Sequence, residues 1–145
     1  MQIRKAEPQD IPTLIHFRKM LLKQENDNSI DTELANYFEN AMQDGTTILW
    51  VAEDNGKVVA SVLLCLMQMV PRFDNLSGKV AYLTNMYTIP EYRRRGVATK
   101  LMTAVIEVAK SQGTKKILLH SSEMAKPVYE KLGFEEGVNY YAMKL

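Results

Sequence analysis

Cysteine is nearly absent. The 145 residues hold only Cys65, and only two histidines, His16 and His120, so the chain can form no internal disulfide and lacks the ligands of a structural zinc site. That scarcity fits a reducing, cytoplasmic setting, and no metal is expected. Seven glycines and five prolines are too few for a collagen-like or low-complexity chain. Long hydrophobic runs are missing too. The longest, residues 58–70, is interrupted by Ser61 and Gln68 and falls short of the ~20 residues that a membrane helix needs. It reads as a long buried strand. The opening Met1-Gln2-Ile3-Arg4-Lys5 contains no apolar signal core, so neither secretion nor a membrane partner is expected. With 46% hydrophobic and 24% charged residues, one folded domain over residues 1–145 is expected, burying ~68% of the surface its unfolded chain exposes.

Positive charge is missing from one stretch. Residues 24–56 contain no lysine or arginine but eight acids: Glu25, Asp27, Asp31, Glu33, Glu39, Asp44, Glu53 and Asp54. The remaining residues set 18 bases against nine acids, a net +9 in a chain whose total is +1. One part is built to meet cations and another to meet anions, unless the acidic stretch is only a solvated helix face.

Residues 2–5 read as a short strand. Asp10 is a plausible N-cap for a helix with Pro12 in its first turn and Ile11, Leu14, Ile15, Phe17, Leu21 and Leu22 as its apolar stripe. Leu34, Tyr37, Phe38, Ala41 and Met42 predict a second helix over residues 31–43, ended by Gly45. Two apolar runs, 47–53 and 57–69, flank Asp54-Asn55-Gly56, the turn chemistry of a hairpin. Further on come a strand over 79–88, a helix over 96–111 closed by Gly113, a short strand over 117–120, a short helix over 124–132 and an extended tail over 138–145. The pattern predicts an α+β domain with a mixed sheet.

Chemistry concentrates in Tyr92-Arg93-Arg94-Arg95-Gly96-Val97-Ala98-Thr99-Lys100-Leu101. A strand stops there, arginines cluster, and small residues open an amphipathic helix. The first turn of a helix leaves N–H donors unpaired, its dipole adds partial positive charge, and Gly96 and Ala98 let a phosphate approach the backbone. Arginines add charge-assisted contacts. A pyrophosphate-bearing ligand is the sharp reading and a solvated basic turn the plain one. Neither a Walker loop nor the three-glycine dinucleotide fingerprint is present.

Arg93, Gly96 and Ala98 fall on the fixed positions of Arg/Gln-x-x-Gly-x-Gly/Ala, so the segment resembles the signature of the GNAT superfamily of acyl-CoA-dependent N-acyltransferases. Ile3-Arg4-Lys5-Ala6 with Asp10, the strand ending near Thr88 with Pro90, and Val128-Tyr129-Glu130-Lys131-Leu132-Gly133-Phe134 resemble other elements of that family, in the same order. The resemblance implies a mixed, mostly antiparallel central sheet of about six to seven strands flanked by about four helices. Its fourth and fifth strands would splay to admit the pantetheine arm of acetyl-CoA, the implied co-substrate. The backbone of Met86 and Thr88 would bond that arm, and Arg94, Gly96, Ala98 and Thr99 would hold the pyrophosphate. Arg93, Arg95, Val97 and Tyr129 complete the expected contacts. Ala98 departs from the commoner glycine, and Pro127 sits in the first turn of the last helix, where an N–H is dispensable.

Acyl transfer needs a neutral amine, a stabilised oxyanion and a proton for the departing thiolate. Tyr129 is the expected general acid, since its ordinary pKa of ~10 keeps it protonated at neutral pH; rim packing is the plain alternative. For the base, Glu25 and Glu33 are candidates, Tyr87 or Asn85 could orient a relaying water, and His120 ends the next strand. Cys65 lies in an apolar run and reads as packing, which favours direct attack over a covalent enzyme intermediate. Met67, Met69 and Met86 are expected to line the acceptor groove. The acceptor is expected to be a small or medium primary amine, and the acidic stretch favours a cationic one. An inactive acyl-CoA-binding sensor is the alternative. A nucleic-acid module is disfavoured, because the arginines lack an aromatic platform and net charge is near zero. The tail could pair two chains into a homodimer.

Overall fold

A computed structural model describes residues 1–137 and 140–145. One sheet has the strand order β1-β2-β3-β4-β5. Strands β1 (Gln2–Lys5), β2 (Thr47–Asp54), β3 (Lys57–Gln68) and β4 (Lys79–Thr88) pair antiparallel, and β5 (Lys116–Leu119) lies parallel to β4. Helices α1 (Ile11–Leu21) and α2 (Asp31–Ala41) separate β1 from β2. Helix α3 (Val97–Ser111) makes the crossover from β4 to β5, and α4 (Lys126–Lys131) follows. No described helix is long and apolar enough to cross a membrane.

Alternation in β2 explains the layering. Ile48 and Ala52 share a cluster with Val97, Leu101, Met102, Val105 and Ala109 of α3, whereas Leu49 and Val51 pack with Ile11 and Leu14 of α1 and Phe38 of α2. The sheet is covered on both faces. Strand β3 is accordingly buried from Val59 through Leu64, Ser61 included, as expected of a central strand covered on both faces. Its hairpin to β2 turns on Asn55 and Gly56, both left-handed at φ 50° and 77°, the two-residue turn whose twist suits antiparallel strands. Gly78 is left-handed as well, and a Cβ there would collide with the carbonyl oxygen of Met69.

Three expectations are corrected. The sheet has five strands among the described residues, not six or seven. Of the tail expected to be extended over 138–145, residues 138 and 139 lie outside the described residues, and Tyr140, Tyr141, Met143 and Leu145 are exposed and belong to no strand of the sheet. The last helix is shorter than expected, because its first turn is a separate 3-10 piece, Glu123–Ala125. Asp10 stands at the N-cap position of α1 as expected, but its side chain makes no capping hydrogen bond there.

Asp10 instead accepts the Glu7 amide at 2.8 Å and both ends of the Arg4 guanidinium at 2.8 and 3.1 Å, while Arg4 Nε reaches Glu53 at 2.7 Å. One arginine thus ties β1 to the entry of α1 and to β2. Burial pushes the Asp10 carboxyl up, but the hydrogen bonds from Arg4 and Glu7 and the charge of Arg4 outweigh it and hold the pKa below its ordinary value. Removing Arg4 strands a carboxylate that is only 4% exposed. We expect Arg4→Ala to lower stability by about 2–3 kcal/mol in urea denaturation at neutral pH, the lower end for breaking a buried pair because the arginine keeps some exposure. A carboxyl held below its ordinary value stabilises above that value and loses the contribution as pH falls. The gap between the two proteins should therefore narrow on acidification.

Candidate active site

Pairing between β4 and β5 joins Val80–Lys116, Ala81–Ile117, Tyr82–Leu118 and Leu83–Leu119, and stops there. Residues 84–88 of β4 therefore have one edge free of strand pairing among the described residues, while the other edge stays on β3. Register on that side slips: Leu63 faces Thr84 but Ser61 faces Tyr87, so β4 carries an extra residue. The bulge falls at Asn85, which is left-handed at φ 56°. Ser61, fully buried, donates its hydroxyl to the Asn85 carbonyl at 3.2 Å. Both amide atoms of the Asn85 side chain, and the Thr88 hydroxyl, are buried without a hydrogen-bond partner among the described residues.

The free edge leads to the start of α3. Gly96 caps that helix in the left-handed region at φ 77°, with no side-chain cap, so the amides of Val97, Ala98 and Thr99 have no intrahelical acceptor. A Cβ on Gly96 would meet nothing within 4 Å. Arg94 is left-handed too, at φ 59°. Its neighbours are held: Arg93 Nε donates to the Thr88 carbonyl at 2.9 Å, and the Arg93 Cζ lies 5.5 Å from the Tyr87 ring centroid. Arg95 sits 4.8 Å from that of Tyr92, whose hydroxyl donates to Asp54 at 2.6 Å. Arg93 and Arg95 shape the turn, and Arg94 is exposed on it without an ion pair among the described residues. Half-buried Tyr129 on α4 packs against the α3-side core, its ring edge-on to Phe134 at 5.8 Å. Burial pushes its phenol above the ordinary value.

Comparison with known proteins decides the kinship. The profile of the acetyltransferase (GNAT) family matches residues 14–134. The chain belongs to this family. It is similar to glucosamine 6-phosphate N-acetyltransferase of Trypanosoma brucei brucei, 32% identical over 103 residues that cover 70% of this chain and 68% of that protein. The crystal structure of a predicted acetyltransferase from Clostridium acetobutylicum with acetyl-CoA superposes with a TM-score of 0.88 at 33% identity, covering 99% and 95% of the two chains. Aminoglycoside N-acetyltransferase AAC(6')-Iy in complex with CoA, at 21% identity and a TM-score of 0.79 over 99% of this chain and 95% of that one, shares the fold.

In this GNAT protein a pocket of about 360 Å³ opens between α1, α2 and β4, with Glu33, Thr84 and Asn85 on its wall. A larger, open groove of about 870 Å³ runs along α1 and holds Tyr87 with His16, Phe17 and Ile89. Glu33 and Asn85 are thus brought together, whereas Tyr87, 4.8 Å from the Phe17 ring, faces the other cavity. Glu25 is exposed on the α1–α2 connection and lines neither. Nor do Met67, Met69 and Met86, contrary to expectation; Met86 packs into the core and Met69 is exposed. His120 Nδ1 is bonded to the Tyr82 hydroxyl at 2.5 Å. Cys65 lies 3.6 Å from the Tyr37 hydroxyl, and burial, with Cys65 beside it, pushes that phenol up to about 12.

The acidic stretch is partly occupied by structure. Lys19 binds Asn28 at 2.6 Å and Asp31 at 3.0 Å, Asp27 accepts from Ser29, and Asp44 accepts from Thr46. Asn85 has no such partner to lose. Glycine adopts φ 56° at no steric cost and removes the buried amide. We expect Asn85→Gly to keep the urea unfolding free energy within about 0.5 kcal/mol of wild type or to raise it, although the residue is 5% exposed and buried substitutions usually destabilise.

Proposed function

We propose that this protein transfers the acetyl group of acetyl-CoA to a primary amine of a small acceptor by direct attack within a ternary complex. The observation that carries the reading is the edge of β4 that no strand pairs among the described residues, which runs from the Asn85 bulge toward the first turn of α3, where no side chain caps the helix. The residues present fit the co-substrate. Among the described residues three helix-start amides lack acceptors and the buried Thr88 hydroxyl lacks a partner, and the space above Gly96 is open.

Bound acetyl-CoA supplies an activated acyl carbon, whose bond to sulfur is exchanged for one to the amine nitrogen. Backbone groups of Met86 and Thr88 extend the sheet edge and bond the pantetheine arm as a further strand would. The amides of Val97, Ala98 and Thr99, with Gly96 giving access and Arg94 supplying charge, hold the pyrophosphate. Arg93 and Arg95 fix the turn that presents them. Tyr129 donates a proton to the leaving sulfur. Its buried phenol stays protonated to above its ordinary value of ~10, so the donor is intact throughout the neutral range. Glu33 or a water beside it takes the amine proton; Glu25, and Tyr87 through a water, are the more distant candidates. The acceptor's ammonium is drawn by the carboxylates of the α1–α2 region that are not bound locally, and the relative named for an amino-sugar phosphate supports an amine acceptor. The one unpaired thiol, Cys65, supports a cytoplasmic place of action.

Gly96→Glu places a carboxylate where the pyrophosphate is held. The variant should fold, at a cost of ~1 kcal/mol for a side chain at positive φ, and calorimetry should show acetyl-CoA affinity lowered at least ~100-fold. Undiminished binding would put the site elsewhere. Tyr129→Phe removes only the hydroxyl: turnover should fall ~100-fold, while the calorimetric Kd for acetyl-CoA changes by less than a small factor. Unchanged turnover would reduce Tyr129 to packing.

A further inference from the structure

The pocket between α1 and α2 is lined by a cation that has no ion-pair partner among the described residues. Arg18, in the last turn of α1, lines it half-buried and makes no hydrogen bond or ion pair among the described residues. Its neighbour Lys19 has Asn28 and Asp31. A guanidinium offers five donors, and drawing it partly out of water without a partner is unfavourable. Glu33 lines the same pocket but is not paired with it. Leu34, Phe38 and Leu63 supply the apolar part of the same lining. The side chain of Asn85, 5% exposed and unpartnered at both ends, completes the lining.

We infer that the acceptor is a small primary amine with an anionic group at its other end, a carboxylate or a phosphate, and that Arg18 binds this group. The inference rests on the transferase reading above and narrows its acceptor. The amine end lies toward Glu33 and Asn85, whose amide oxygen accepts an N–H and aims the nitrogen at the free edge of β4. The anion takes the guanidinium fork, which matches the two oxygens of a carboxylate or phosphate. A polycation would set a second positive charge against Arg18, and a neutral amine would leave the guanidinium unpaired while excluding its water. The pocket, about 360 Å³, is at the lower end for small-molecule sites and suits a single compact metabolite. The locally bound Asp27, Asp31 and Asp44 leave fewer carboxylates free to hold a polycation than the sequence suggests.

Matched amines test this: 4-aminobutanoate against butylamine and putrescine, and 2-aminoethyl phosphate against ethanolamine. Initial rates with acetyl-CoA give kcat/KM, and melting shifts with CoA present give binding independent of turnover. In wild type at least one anionic amine should exceed its neutral counterpart at least ~10-fold in kcat/KM, and should raise the Tm where the neutral amine does not. The carboxylate and phosphate pairs show which anion is used. Arg18→Gln should lower kcat/KM for the anionic amine ~10–100-fold, mainly through KM, and bring the ratio near one. Arg18→Lys should recover only part of it, since an ammonium keeps the charge but not the fork. Preference for butylamine, ethanolamine or putrescine, or a ratio that survives Arg18→Gln, overturns the inference while leaving the transferase standing. An Arg18-dependent melting shift without acetylation of any amine upholds the anion site and overturns the transferase reading instead. No Arg18-dependent shift or rate for any anionic amine overturns the inference outright.

Discussion

The parallel pairing of β4 with β5 ends at Leu83 and Leu119, and the rest of the candidate site follows from that stop. A strand edge without a neighbour is ordinarily a liability, because its row of N–H and C=O groups invites another chain. Here the edge is short, begins at a bulge and points to the amides at the start of α3. Because the crossover from β4 to β5 runs through α3 itself, strand edge and helix start are covalently adjacent. The same backbone that leaves one edge of residues 84–88 without a paired strand among the described residues leaves helix-start amides without intrahelical acceptors at residues 97–99. A polar track within an apolar fold results.

Most of the fold was legible because its causes are local. Alternation in β2, the Asn55-Gly56 turn, the start and end of β4 and the span of α3 are each written in a few consecutive residues. What escaped depends on residues far apart. The role of Asp10 is set by Arg4 and Glu53, and Glu53 is brought to Arg4 by strand pairing across 49 positions. The bulge at Asn85 hides in an apolar alternation that reads as unbroken strand; the one local signal is an asparagine, a residue depleted in strands and tolerant of positive φ. Arg18 sits where α1 periodicity puts a polar residue. Only the approach of α2 turns that solvated position into a pocket wall.

Charge behaves similarly. Counted along the chain, residues 24–56 form an uninterrupted negative field. Folded, that field is broken up by Lys19, by side-chain turns at Ser29 and Thr46, and by Arg4 on Glu53. Linear charge density thus overstates the potential that a ligand meets, and the surplus over local needs is what can act on one.

Helix α3 has two roles in one body. Val97, the first residue of its first turn, is 3% exposed, and Leu101, Met102, Val105 and Ala109 behind it are buried in the main core. The donor end cannot be reoriented without disturbing packing across β2, β3 and β4. Whatever anion settles there meets groups whose ordering entropy was spent during folding, so little is left to lose on binding. Warming that loosens the core would therefore blunt anion recognition in step with tertiary structure.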